Sequence, residues 1–293
     1  MEASKKSEEI FREQKQIHKE RILSNSGLII GTIGFLLILL AAIVIPVINK
    51  IDPNEMDVLN RLKPPSTGHI FGTDEFGRDL LTRVLYGARV SLVVGCSVSF
   101  FSCIFGTVIG IYASYFKISD YILMRSCEGL MAIPGVLLAI ALMTALGAST
   151  TNVIIALTLV YTPTVARIVR SSALVARNQT YIEAAKVQGA SNTRILFKLV
   201  LPNVISPLAV QASLIFAQAI MSEASLSFLG AGIPAPAASW GNILQGSKAV
   251  LQKAPWIVIF PGATVVLCVF SLNLIGDGLR DYLDPYTTGG KRR

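Results

Sequence analysis

Three long stretches of this chain carry no charged side chain: Ile22 to Asn49, Val90 to Phe116 and Gly129 to Ala166. Inside a bilayer every backbone N–H and C=O must be satisfied within the protein, which a helix of about 20 apolar residues achieves. Composition agrees, at 52% hydrophobic and 15% charged residues, where soluble domains carry about 25% charged residues. The chain reads as an all-α membrane protein with six transmembrane helices. The spans fall near Gly27–Ile48, Val90–Phe116, 129–146, 153–171, Ile205–Phe228 and Trp256–Ile275. Segment 1–26 is a polar N-terminal tail, 27–89 the first span with an outer loop, 90–277 the core and 278–293 a basic tail.

The net charge of +8 is spread between the apolar runs, as the positive-inside rule expects. It forms no single patch, which argues against nucleic acid as a partner. The four cysteines have no C-x-x-C spacing and there are two histidines, so a zinc site is not expected. The first apolar run follows a long charged segment and is too long for a signal-peptide core, so no secretory signal is read.

Residues 50–89 mix both charges, as a translocated loop does. Within it Thr73 is an expected N-cap, with Asp74 and Glu75 in the first helical turn. An amphipathic helix lying in the outer interface is expected to follow, its polar face holding Arg78, Asp79, Thr82 and Arg83. Gly106 and Gly110 allow another helix to approach closely. Lys117 to Glu128 reads as a short cytoplasmic turn. Gly147 to Asn152 breaks the third apolar run into a hairpin, and Pro134 kinks its first half or ends its first turn. Arg167 and Arg170 close the fourth span.

The segment Tyr181–Pro202 is a charged stretch between two very apolar ones. Thr180 and Glu183 read as a capping box, Gly189 as a C-cap, Asn192 as a second N-cap and Pro202 as the end of that second helix. Two short helices joined by a bend between membrane spans imply a protein that receives them. In the fifth span Gln211, Gln218, Ser222 and Ser225 are spaced 7, 4 and 3 apart, one stripe of a helix. The stripe suits a pathway lining, a contact with a second subunit, or hydrogen bonding between helices. Glu223 beside it is an intramembrane acid; a role in transport, a reach to the interface and a pairing with an arginine all stay open. Trp240 and Trp256 are expected in an interfacial belt. The segment from Gly241 to Lys248 places Ser before Lys, which departs from a phosphate-binding loop, so ATP binding on this chain is rejected. Asp277, Arg280 and Asp281 are spaced as partners on a short helix.

Several stretches resemble one family. Glu183-Ala184-Ala185, then Gly189, then Leu199-Val200-Leu201-Pro202 match the E-A-A loop of ABC importer permeases, with Leu199 where Ile is usual. The wording G-T-D-E-F-G-R-D from Gly72, G-A-R-V-S-L from Gly87, S-L-S-F-L-G-A-G-I from Ser225 and N-L-I-G-D-G-L-R-D-Y-L-D-P from Asn273 resembles the second permease of dipeptide and oligopeptide importers.

That resemblance, over about residues 25–285, implies the type I ABC importer permease fold in the cell membrane, with both termini cytoplasmic. It implies a paralogous permease subunit, two ATP-binding cassette subunits that hold ATP and Mg, and an extracytoplasmic solute-binding protein. No cofactor is expected on this chain. Glu183, Ala184, Ala185, Gly189, Leu201 and Pro202 would couple it to the ATPases, within a coupling loop at 180–203; Glu183 would dock or only cap Thr180. Relatives in the branch carry peptides, nickel or other metal chelates, opine metallophores or glutathione. A secondary transporter would need paired intramembrane acids or inverted repeats, and a membrane enzyme a nucleophile or metal cluster in the spans; neither is visible.

Overall fold

The computed structural model describes residues 25–49 and 51–283; most of the expected N-terminal tail and the end of the C-terminal one lie outside the described residues. The helices are α1 (Ser26–Asn49), α2 (Leu80–Tyr115), α3 (Lys117–Met131), α4 (Gly135–Leu146), α5 (Thr150–Arg177), α6 (Thr180–Val187), α7 (Asn192–Phe228), α8 (Trp240–Ser247) and α9 (Trp256–Leu283). No strand occurs among the described residues. Helices α1, α2, α5, α7 and α9 are long and apolar enough to cross a bilayer, and α3 with α4 makes a sixth crossing if that pair, bent by 92°, is taken together.

Helix α4 has 12 residues, about 18 Å of rise, too short for a hydrocarbon core of ~30 Å. The expected turn at 117–128 is instead the greater part of α3. Its charges stand at Lys117, Asp120, Arg125 and Glu128, a helical spacing rather than that of a loop. Asp120 then finds Arg170 on α5, whose Nε and Nη2 donate to its two oxygens at 2.5 and 2.6 Å. The kink expected at Pro134 is the bend between α3 and α4: Pro134 lies in that break, as the N-cap residue of α4. Ser149 starts α5 by accepting from the Asn152 backbone N–H at 3.1 Å, so the hairpin stands where the glycine and polar residues place it.

The tightest helix contact is between α2 and α5. A Cβ on Gly106 would sit 2.4 Å from Val165 Cβ, and one on Gly110 2.6 Å from the Ala166 carbonyl oxygen. The close-approach reading of these glycines therefore holds within one chain. One buried cluster joins α2, α4, α5, α6 and α7 through residues such as Val94, Ala139, Leu157, Ile182 and Ile215. A second joins α1, α2, α8 and α9 through Ala42, Leu80, Trp240, Ile257 and Leu272. Helix α1 leaves Ile30, Leu37, Leu40 and Val47 exposed, as a lipid-facing helix should.

The outer loop corrects a second expectation. Thr73 does not cap a helix. Asp74 Oδ1 instead accepts from the backbone N–H groups of Phe76 at 2.8 Å and Arg78 at 3.0 Å, an Asx-type turn that competes with helix formation. The cap falls on Asp79, whose Oδ2 accepts from Thr82 N at 2.9 Å. Thr82 and Arg83 are buried. Arg83 donates to the Pro53 carbonyl at 2.9 Å and lies 3.6 Å from Asp74. The expected interfacial helix is therefore the first turns of α2, with its polar side under the loop.

Trp240 is the third correction. It is fully buried, and its indole N–H donates to the Val84 carbonyl at 3.0 Å. Helix α8 starts from a Ser239–Asn242 capping box and packs against α2, α7 and α9 rather than lying at the lipid boundary. Trp256 is half-buried, donating to Thr73 O at 3.3 Å.

Candidate functional site

The segment between α5 and α7 is exposed at one end of the bundle. Chain direction turns at Asn178 and Gln179, two residues after α5 closes. Gln179 is extended and its carbonyl accepts from Ile182 N at 3.0 Å and Glu183 N at 3.4 Å. Thr180 is thus already inside α6, and no side chain caps that helix. The expected capping box is absent because the register is set by burying Ile182, which has no exposed surface. Glu183 is left exposed and without an ion pair or hydrogen bond through its carboxylate among the described residues.

At the other end of α6 the expectation holds. Gly189 has φ of +81°, Ala190 N donates to Ala185 O at 3.0 Å and Gly189 N to Lys186 O at 2.9 Å, the Schellman pattern. A Cβ on Gly189 would meet nothing within 4 Å. The demand for glycine here is conformational, not one of space. Ala184 is exposed, Ala185 half-buried, and Val187 presents 90% of its surface at the tip.

The second helix is capped one residue earlier than expected, by Ser191, whose hydroxyl accepts from Arg194 N at 3.3 Å. Pro202 does not end it. Residues Ile195–Val200 widen into a π-helix that runs straight into the membrane helix, so that Leu201 N reaches back five residues to Leu196 O. Proline lacks the N–H that Lys198 O would receive in an α-helix, and the wider turn just before it is the local answer. Leu201 is half-buried and Pro202 exposed.

Four residues that sequence reasoning missed fasten this element. Asn203 Nδ2 donates to the Tyr181 hydroxyl at 2.9 Å, joining α7 to α6. The Tyr115 hydroxyl bonds Asn192 Oδ1. Arg177 donates to the Ser114 carbonyl at 2.9 Å and lies over the Tyr115 ring, 5.1 Å from its centroid. Asn192, expected as an N-cap, is here the partner of Tyr115.

The polar stripe of α7 divides. Gln211 is buried, whereas Gln218 and Ser225 are exposed and Ser222 half-buried. The Tyr161 hydroxyl bonds Ser222 Oγ at 2.7 Å and Gln218 O at 3.2 Å, adding α5 to the stripe. Glu223 points elsewhere. It is fully buried, and accepts from Ser91 Oγ at 2.7 Å and Ser227 Oγ at 2.8 Å. Among the described residues its carboxylate meets serine hydroxyls and no arginine.

Residues 106–289 match the family model described as the binding-protein-dependent transport system inner membrane component. The chain belongs to this family. Residues 16–65 of the permease also match the N-terminal transmembrane domain of oligopeptide transport permease C. It is 48% identical over 265 residues to a putative peptide transport system permease protein of Brucella abortus, covering 90% of each chain. It is 45% identical to the dipeptide transport system permease protein of Alkalihalophilus pseudofirmus, covering 92% of this chain and 88% of that one. It is 37% identical to the oligopeptide transport system permease protein of Bacillus subtilis, covering 95% and 93%. Among solved structures, an inward-facing form of the MetNI methionine ABC transporter superposes with a TM-score of 0.53 at 18% identity, over 67% of this permease and 95% of that chain. That likeness shows the ABC transporter permease fold.

Proposed function

We propose that this permease is a subunit of an ATP-driven importer of peptides. It would form the pathway with a paralogous permease, above two ATP-binding cassette subunits and below an extracytoplasmic solute-binding protein. The peptide reading rests on the relatives, three of which are named for peptide, dipeptide and oligopeptide transport. Those names favour peptides over metal chelates, opine metallophores or glutathione.

The observation that carries the coupling role is the exposure of α6 on a continuous rod. Glu183, Ala184 and Val187 face outward, while Ile182 and the Tyr181–Asn203 bond tie α6 to α7. When the ATPase pair closes on ATP, α6 moves with it, and α7 carries the movement into the bundle without an intervening loop. Glu183 docks by its free carboxylate, Ala184 and Ala185 permit close approach, Gly189 sets the bend, and Leu201 and Pro202 begin the membrane section. This assignment places the α6 end and both termini in the cytoplasm. Gln218, Ser222 and Ser225, with Tyr161, form the wet face of α7 that lines the pathway or meets the paralogous permease; Gln211 and Glu223 act in packing.

The test is uptake of a labelled dipeptide by vesicles holding the assembled transporter. Gly189→Arg should insert normally but lose ATP-coupled uptake and retention of the ATPases on purification. Normal uptake and normal co-purification in that variant reject the coupling role. Uptake that persists without ATP rejects the importer class.

A further inference from the structure

Two voids share a wall on α3, one between α3 and α5 and the other between α2, α3 and α5. The first, about 650 Å³, is lined by Lys117, Asp120, Arg125, Glu128, Arg167 and Arg170. The second, about 770 Å³, is lined by apolar side chains such as Phe101 and Phe105 of α2, Leu123 and Leu130 of α3, and Ile155 and Leu159 of α5. Cys127 forms a wall of both.

Charges in the first void do not cancel. Asp120 is taken by Arg170 at 2.5 and 2.6 Å, and Glu128 by Arg125 at 3.4 Å. Lys117 and Arg167 form no ion pair among the described residues. Arg167 Nη2 approaches the Met131 sulfur at 3.2 Å, a weak acceptor. Two uncompensated cations therefore face the cavity.

The height of these cations along the span matters. Arg167 follows Thr150, the first residue of α5, by about 26 Å of helix rise. With the polar Ser149–Asn152 turn at one boundary of a ~30 Å hydrocarbon core, Arg167 stands at the other, where lipid phosphates lie. The apolar groove extends back along α5 from Pro163 to Thr151, about 18 Å, more than the ~15 Å depth of one leaflet.

We propose that the two voids are one site for an anionic phospholipid. Its anionic headgroup occupies the cavity that Lys117 and Arg167 both line, and an acyl chain fills the groove between α2, α3 and α5. A free phosphate would use the cations but leave the groove empty. A zwitterionic lipid would fill the groove but leave the positive charge of the cavity unanswered.

Native mass spectrometry of the purified transporter complex tests this, with phosphatidylglycerol, phosphatidylcholine of the same chains, and inorganic phosphate as probes. Phosphatidylglycerol should be retained at least tenfold more strongly than phosphatidylcholine. A Lys117→Gln/Arg167→Gln double variant should retain phosphatidylglycerol at least tenfold less well. Leu159→Trp, which fills the groove, should also lose it. Equal retention of the two lipids by the unmodified complex overturns the proposal, and that comparison needs no variant to fold. So does undiminished retention of phosphatidylglycerol by the double variant, or its displacement by an equal concentration of phosphate. Efficient crosslinking of Ile155→Cys to the paralogous permease would give the groove to a protein neighbour and overturn it as well.

Discussion

Arg89 donates through Nε to the carbonyl oxygen of Ala42 at 2.6 Å, the carbonyl that Pro46 leaves without its helical donor. Pro46 lies four residues on in α1 and has no N–H to give. Arg89 Nη2 also donates to the next carbonyl, Ile43 O, at 3.0 Å. A cation of α2 thus completes the backbone of α1, and among the described residues its charge is met by two carbonyl dipoles instead of a carboxylate.

Arg89→Ala should lower the thermal stability of the purified permease by about 1–3 kcal/mol, the range for stranding a buried acceptor. Pro46→Ala restores the intrahelical donor, so the Arg89→Ala change should be much milder in that background. A thermal unfolding cycle of the four proteins checks this; equal losses in both backgrounds would show that Arg89 acts by some other contact.

At Gly189 the positive φ with open space around it separates two effects. Strain from any L side chain is about 1–2 kcal/mol and should be nearly independent of size in the isolated chain. Gly189→Asn should be the best tolerated, since Asn enters this backbone region more readily. Isolated-chain stability should therefore fall alike for Ala and Arg, while uptake by the assembled transporter should fall further for Arg.

Glu223→Ala removes the acceptor shared by Ser91 and Ser227 and should destabilise by about 1–3 kcal/mol. Glu223→Gln keeps an acceptor oxygen and should be milder. Ser91→Ala added to Glu223→Ala should change little, because groups in one hydrogen-bond network are not additive. Additive losses in thermal unfolding would mean that the network does not act as a unit.

Gly106→Leu should block the seating of α2 on α5, since even a Cβ there overlaps Val165. Overpacking of this kind costs about 1–3 kcal/mol or more. Gly106→Ala should be partly rescued by Val165→Ala, read as recovery of monodisperse protein in detergent; absence of any rescue would place the conflict on the backbone at Ala166.

The third expected span is the bent pair α3 and α4; the other five of the six span positions were legible because bilayer thickness acts on each run separately. The hairpin at 147–152 and the left-handed turn at Gly189 were legible for the same reason: both are decided by residues within a few positions. The errors have the opposite origin. Trp240 belongs to the core through the Val84 carbonyl, 156 residues away; Glu223, whose role stayed open, likewise finds its partner Ser91 132 residues away. No local pattern carries such pairings. Ser191 and Asn192 are both good caps, and local chemistry does not choose between neighbours. Helix α3 is different: its charges stand at helical spacing, and that period outweighs charge as a sign of a turn. Of the coupling segment, the exposed tip and its bend were visible in the chain, whereas the tyrosine and asparagine fastenings needed three dimensions.

The widened winding at Ile195–Val200 divides α7 unevenly, with 28 residues beyond it, about 42 Å of rod. Each degree of tilt at that turn sweeps the distant tip sideways by about 0.7 Å at this length. A tilt of a few degrees at that turn would displace the far end of α7 by about the width of an atom.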